Sequence, residues 1–261
     1  MDIRQTIAHL AQDKAEQLLL VHIAEQLQTA RQRNIPAATG FLSAREQMLV
    51  AQLFPHDPPL FFGGCAGAER KVCCYLPDYL DEAWLTSDDS PLAAIRAAYF
   101  EADALSHRDF LGALMGAGVA RDTVGDIYVS PGQCDFVVLR DLQSYILQNL
   151  TGAGRTKLTL APLPLAALSA PQAAVKMRHD TVSSLRLDSV LAAAFSLSRG
   201  KAAALIEAGR VELNHTLCQK PDKPVAPGDI FSVRGLGRAR LDSVDGTTKK
   251  GRTGLTLSRF I

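Results

Sequence analysis

The string SLSRGKAAALIEAGRVELN, Ser196–Asn214, constrains this chain more than any other stretch. Ser198 stands where an N-cap belongs, ahead of a helix expected over Arg199–Ala208. Gly209 stops that helix at the position where a left-handed backbone is usual. Val211–Leu213 follows as a short strand and ends in a turn at Asn214-His215. The same string puts Arg199 and Lys201 into the first helical turn, where free N–H groups attract an anion. Two cations there disfavour an isolated helix, so a bound polyanion compensates them. Reversing both to Glu is expected to spare the helix.

The flanks read as one further unit. Ser184–Phe195 is a short amphipathic helix. Pro227-Gly228-Asp229 is a turn before a strand at Ile230–Val233, and Leu255–Phe260 is a closing strand. The Ala- and Pro-rich Ala161–Ala174 reads as a connection into this unit. Before it, strands and helices alternate. Leu92–Phe100 is a strand by context, although its alanines also permit a helix. Ser106 caps a helix over His107–Gly116 with Asp109 at its third position. Asp126–Val129 and Asp135–Leu139 form a hairpin around Ser130-Pro131-Gly132-Gln133. A helix at Leu142–Leu150 and a strand at Lys157–Leu160 complete a β-α-β-β-α-β order, to which Lys71–Leu76 adds a strand. The first sixty residues are helical. Ile7, Leu10, Ala11, Lys14, Leu18 and Val21 mark one face, and Ser43 with Glu46 makes a capping box for Ala44–Leu53.

Charge divides the chain in the same place. The net charge is +1, yet residues 176–261 hold 15 Lys and Arg against 8 Asp and Glu. Residues 1–175 hold 13 against 19. A basic last third on an acidic body points to a polyanionic partner for the former and a protein partner for the latter. Hydrophobic residues at 47% exclude wholesale disorder. No apolar run approaches the ~20 residues of a membrane span, and Met1–Leu10 lacks a signal core, so a cytoplasmic protein is expected. The five cysteines contain no C-x-x-C pair and are expected as buried free thiols. Neither a metal nor a cofactor is expected.

The string Ser196–Asn214, with Arg186-Leu187-Asp188 before it and Pro227-Gly228-Asp229-Ile230 after it, resembles an S4 domain over Ser183–Val233. That resemblance implies two short helices on a small bent sheet that reads structured RNA. Further strings extend it. Phe62-Gly63-Gly64, Ala68-Glu69-Arg70-Lys71, Ser106–Gly116, Gly125-Asp126-Ile127, Val233–Arg238 and Thr248–Arg252 are similar to the YlmH family. The family implies an α+β chain of three parts: an N-terminal helical region over 1–60, an RRM-like, ferredoxin-like domain with linker over 61–175, and an S4 domain over 176–261. It also implies binding of large-subunit rRNA, with tRNA or peptidyl-tRNA as a further partner, in rescue or quality control of stalled ribosomes.

On this reading phosphates meet Arg186, Arg199, Lys201 and Lys220 on the helix pair and the adjacent strand turn. Two glycine-bearing basic segments extend the surface with Arg234, Arg238, Lys249, Lys250 and Arg252. His107 and Arg108 are a second candidate RNA contact, with a structural role as the alternative. Tyr128, alone on the far sheet face, is expected to pack rather than to stack on bases. Enzyme-like strings do not hold. His107-Arg108-Asp109 imitates a kinase catalytic loop, but Leu114 stands where Asn is required. Arg186-Leu187-Asp188 resembles the motif of pseudouridine synthases, but it opens the S4 helix itself, which leaves Asp188 a local ion pair or cap. A non-enzymatic RNA-binding protein is therefore expected. An RNA-modifying enzyme, synthase-like or methyltransferase-like, and a cell-division interaction protein are the alternatives.

Overall fold

Side-chain caps begin the N-terminal helices. Asp13 accepts a hydrogen bond from the Glu16 backbone N–H at 2.8 Å and starts α2, Lys14–Arg33, which follows a short α1, Ile3–Leu10. The β1 strand, Ala37–Ala38, leads into α3, Ala44–Leu53, whose Ser43–Glu46 capping box is formed as expected. The computed structural model describes residues 3–171, 175–247 and 251–260. They fall into two compact units, Met1–Pro171 and Gln172–Ile261.

The buried face of α2 is Leu20, Ile23, Ala24, Leu27 and Ala30, not the expected one: Leu18 is 61% exposed. The run Leu18–Val21 offers apolar side chains on both sides of the helix, so periodicity alone misplaces the face. The strands β2, Leu60–Phe62, and β3, Val72–Tyr75, join β1 in a three-stranded sheet of order β1-β3-β2. Thus the Lys71–Leu76 strand belongs to this sheet and does not extend the next one.

That next sheet comprises β4, Leu92–Ala98, β5, Val124–Ser130, and β6, Gln133–Leu139, with the α4 helix, His107–Gly116, between β4 and β5. The α5 helix, Gln143–Asn149, and a small hairpin of β7, Gly152–Ala153, and β8, Thr156–Lys157, lead to β9, Thr159–Leu163. The antiparallel order β5-β6-β4-β9 is the ferredoxin-like arrangement of a β-α-β-β-α-β chain. Helices α4 and α5 close one face over Ile95, Phe136, Val138, Phe110, Leu114 and Ile146. The opposite face is also covered. Leu92, Ala94 and Val137 pack with Val72 and Cys74 of β3 and with Phe41. Burial on both faces explains why Lys71–Leu76 and Cys134–Leu139 read as nearly continuous apolar runs.

The link between these layers uses the family-like strings. The Asp126 carboxylate accepts the Glu69 and Arg70 backbone N–H groups at 2.6 and 3.1 Å. The Arg70 guanidinium donates to the carbonyls of Val124, Phe41 and Arg121. Tyr128 is half-buried in the same core, its hydroxyl donating to Asp126 at 3.2 Å and meeting Cys65 Sγ at 3.5 Å, so it packs between layers. Burial pushes its phenol well above the ordinary range. Of the cysteines, Cys73, Cys74 and Cys134 are buried, and burial pushes the thiols of Cys73 and Cys74 up to about 12. Cys65 and Cys218 are half-buried.

The Ala/Pro stretch is more than a connection. Ala161–Leu163 pairs with β4, and Leu165 and Leu168 fill the core beside Val137. The second unit starts with a strand missed by sequence, β10, Val175–Val182. Next come α6, Leu187–Phe195, and α7, Arg199–Glu207. They precede β11, Val211–Leu213, β12, Thr216–Leu217, β13, Ile230–Val233, β14, Gly237–Thr247, and β15, Thr253–Phe260. The sheet has six strands in the order β10-β15-β14-β13-β11-β12, larger than expected, and is irregular between Leu241 and Ser243 and between Val244 and Thr247. Both helices lie on one face, over Phe231, Val233, Leu241, Leu255 and Leu257. Among the described residues no single helix is long and apolar enough to cross a membrane.

Gly125 tests the layered first unit. A Cβ there would stand 2.6 Å from a ring carbon of Phe41. Gly125→Ala is expected to destabilise the chain by about 1–3 kcal/mol, the usual cost of overpacking. An unchanged unfolding midpoint would refute the Phe41–Gly125 contact.

Candidate nucleic-acid interface

The start of α6 is occupied by protein. Its Leu187 and Asp188 N–H groups donate to the carbonyls of Lys223 and Pro221, so the loop after β12 caps this helix. Arg186 is its N-cap residue, and Lys220 and Lys223 stand exposed on the capping loop. These three cations make one locus at the α6 N-terminus.

Asp188 connects that locus to the next helix. Its side chain is 6% exposed and accepts from Arg199 Nε at 2.8 Å. Arg186 Nε lies 3.4 Å from its other oxygen. Burial works against ionisation of Asp188. The Arg199 hydrogen bond and the two positive charges outweigh it and hold the carboxyl below the ordinary aspartate value. Asp188 is thus the ion-pair centre that the sequence suggested. The structure also corrects the expectation that charge reversal at Arg199 spares the helix. A glutamate at 199 would face a buried carboxylate that has lost its hydrogen-bonded partner.

The start of α7 is different. Ser198 Oγ accepts from the Lys201 N–H at 3.3 Å, while Arg199, Gly200 and Lys201 are exposed. At the other end Gly209 has φ +65°, as the helix-stop reading requires. Arg210 follows it. Its Nη2 donates to the Arg234 carbonyl at 2.9 Å, and the Arg234 N–H returns a bond to the Arg210 carbonyl at 3.0 Å. This reciprocal pair ties the end of α7 to the β13–β14 turn.

Three shallow grooves run together around these elements. The first lies beside β10 and α6 and is lined by Arg178, Arg199 and Arg252. The second lies beside α7 and is lined by Lys201, Arg210 and Arg234. The third holds Arg210, Arg234 and Arg238. Leu197, in the turn between the helices, lines both the first and the second. Arg210, Arg234 and Gly235 line both the second and the third. The result is one continuous basic band.

Of the sequence-derived candidates, Arg199, Lys201, Arg234, Arg238 and Arg252 lie on this band. Arg238 belongs to β14 rather than to a loop, and its guanidinium lies 5.5 Å from the Phe260 ring centroid. Arg252 donates to the Thr181 carbonyl. Arg186 and Lys220 sit at the α6 locus instead. Lys249 and Lys250 lie outside the described residues. His107 and Arg108 are exposed on the first turn of α4, in the other unit, and Asp109 accepts the Ser106 N–H and hydroxyl at 2.8 and 2.6 Å. Hydrogen bonding to Ser106 holds the Asp109 carboxyl below its ordinary value. Sequence reasoning missed two members of the band. Arg178 lies in the unrecognised β10, where it donates to Ser196 Oγ and to Asp180. Arg210 was legible as the cation directly after the helix-stop glycine.

Residues 94–167 match a family model described as an RNA-binding domain in YlmH, and residues 185–231 match the S4 domain model. The chain is 37% identical over 224 residues to "Ribosome-associated protein quality control protein P2" of Bacillus subtilis (strain 168). That alignment covers 85% of this chain and 86% of the relative. A solved structure titled "Cell division protein ylmH from Streptococcus pneumoniae" aligns with a TM-score of 0.47 at 16% identity. It covers 60% of this chain and 95% of that one.

Two outcomes are expected. Asp188 has a depressed folded pKa, so its contribution to stability is present above the unfolded value of ~3.9 and is lost as pH falls through the folded value. Asp188→Asn should lower the denaturation midpoint at about pH 7, and the gap from wild type should narrow as the pH falls below the unfolded value of ~3.9. A gap that persists in acid would refute the ion-pair account. Gly209→Val should cost roughly 1–2 kcal/mol, the penalty for a side chain in a left-handed backbone, read from the melting temperature.

Proposed function

The chain belongs to the YlmH family of S4-domain proteins, and on that premise we propose that it binds structured RNA of the large ribosomal subunit. Its matched domains support an RNA-binding role. The continuous basic band of the C-terminal unit carries the reading: its cations line connected grooves, as a phosphate backbone requires. Arg199, Lys201, Arg234, Arg238 and Arg252 contact phosphates. Lys249 and Lys250 extend the surface by sequence, and Arg186 and Lys220 serve a second approach at the α6 N-terminus. His107 and Arg108 are offered as a second RNA contact, tRNA or peptidyl-tRNA as a further partner of the chain, and the acidic first unit as the surface for a protein partner.

The name of the Bacillus subtilis relative supports a role in ribosome-associated quality control. On this proposal the chain acts on stalled large subunits. The role is non-enzymatic. The kinase-like His107-Arg108-Asp109 begins a helix with Asp109 bonded to Ser106, and the synthase-like Asp188 is bound to Arg199. Asp109 and Asp188 therefore each have a structural use.

The test is RNA affinity of the full-length chain as a function of salt, with co-sedimentation on isolated large subunits. Lys201→Glu combined with Arg234→Glu should weaken binding sharply and reduce the log–log salt slope by roughly 0.7–0.9 per lost contact. Neither residue touches the buried Asp188, so the melting temperature should hold. A double variant with wild-type affinity and slope would place the RNA elsewhere.

A further inference from the structure

The groove beside α7 differs in chemistry from its two neighbours. Its floor is Leu197, Ala204, Leu205 and Leu236, all partly or fully exposed. Lys201, Arg210 and Arg234 also line it, and no acidic residue does. The grooves it joins each carry arginines with an acidic neighbour, Asp180 in one and Glu212 in the other. The charged band is therefore interrupted midway by an apolar cavity of about 460 Å³.

A bare RNA duplex offers such a cavity nothing, because its bases are stacked inside and its surface is phosphate and ribose. An unpaired base offers an apolar face with a phosphate on either side. We propose that this groove seats one unpaired nucleobase, with its flanking phosphates carried by Lys201 at one end and by Arg210 and Arg234 at the other. The inference rests on the RNA-binding reading above and adds to it the structural class of RNA: a strand with a bulged or looped-out nucleotide. Charge complementarity selects this occupant. An apolar protein side chain would fill the floor but would leave three cations around it without anions.

Gly235 helps the phosphate approach. Its φ of +87° turns the chain between Arg234 and Leu236, and a Cβ there would stand 3.4 Å from Arg210 Nη2. The glycine thus leaves room for the Arg210 guanidinium, whose Nη2 donates to the Arg234 carbonyl.

The experiment uses the full-length chain and three labelled RNAs: a blunt duplex, the same duplex with one bulged adenosine, and the same bulge made abasic. Base stacking contributes enough per base that the bulged RNA should bind at least about fivefold tighter than the duplex, and the abasic RNA should fall back to duplex affinity. Ala204→Leu fills the floor from an exposed helical position with a good helix former. It should abolish the preference for the bulge and keep the wild-type salt slope. Equal affinity of wild type for bulged and abasic RNA, with a normal salt slope, would overturn the inference. The RNA-binding reading would survive, and the groove would be left to a protein side chain. Salt-independent or undetectable binding to all three RNAs would overturn both. Retention of the bulge preference by a folded Ala204→Leu variant would also overturn the inference.

Discussion

One buried carboxylate decides where positive charge can stand in the C-terminal unit. Asp188 sits in the first turn of α6 with Arg199 of α7 against one oxygen and Arg186 against the other. A lone buried carboxylate costs several kcal/mol, so the two guanidiniums are held as firmly as the carboxylate is. The pairing spans the junction of the two helices and sets α7 with its first turn facing solvent. It also offsets the unfavourable placement of a cation at a helix N-terminus, since Arg199 answers to Asp188 before it answers to the helix dipole. Arg199 uses Nε for this contact, and its side chain stays half exposed. Lys201, Arg210 and Arg234 then continue the positive surface from a helix whose orientation is already fixed.

The first unit spends its distinctive residues differently. Its ferredoxin-like sheet is closed by helices on one face and by β3, Phe41 and the segment around Leu165 on the other. Single-stranded RNA is usually stacked by such sheets on an open face, and here that face is a core. Asp126, Arg70 and Tyr128 serve the closure. The unit's exposed candidates are at a helix start, His107 and Arg108, not on the sheet.

The sequence was most legible where local chemistry suffices. Both capping boxes, the Gly209 stop and the Pro131-Gly132 turn need information from fewer than ten neighbouring residues, and all stand where expected. The failures share a cause. The β10 strand reads VKMRHDTV and β14 reads GRARLDSVDGT, because each turns one face of a sheet to water and alternates polar with apolar residues imperfectly. The pairing of β10 with β15 is long-range and leaves no local mark, whereas β14 pairs with β15 as the next strand in sequence. Arg178 was lost with β10. The basic band was half legible: residue types named Arg199, Lys201, Arg234, Arg238 and Arg252, but only folding could show that Arg186 and Lys220 stand apart, and that leucines interrupt the charge.

The β3 strand has a consequence for how this chain divides. Cys73 points into the core of the N-terminal helices, while Val72 and Cys74 point into the core against the ferredoxin-like sheet. One four-residue strand is thus a party wall between two rooms. Any transient opening of the helices leaves one side of that wall in water, and the sheet behind it loses its backing in the same event. The N-terminal helices are in this sense inherited together with the sheet, as its cladding, and a recombination event that separated them would deliver neither part intact.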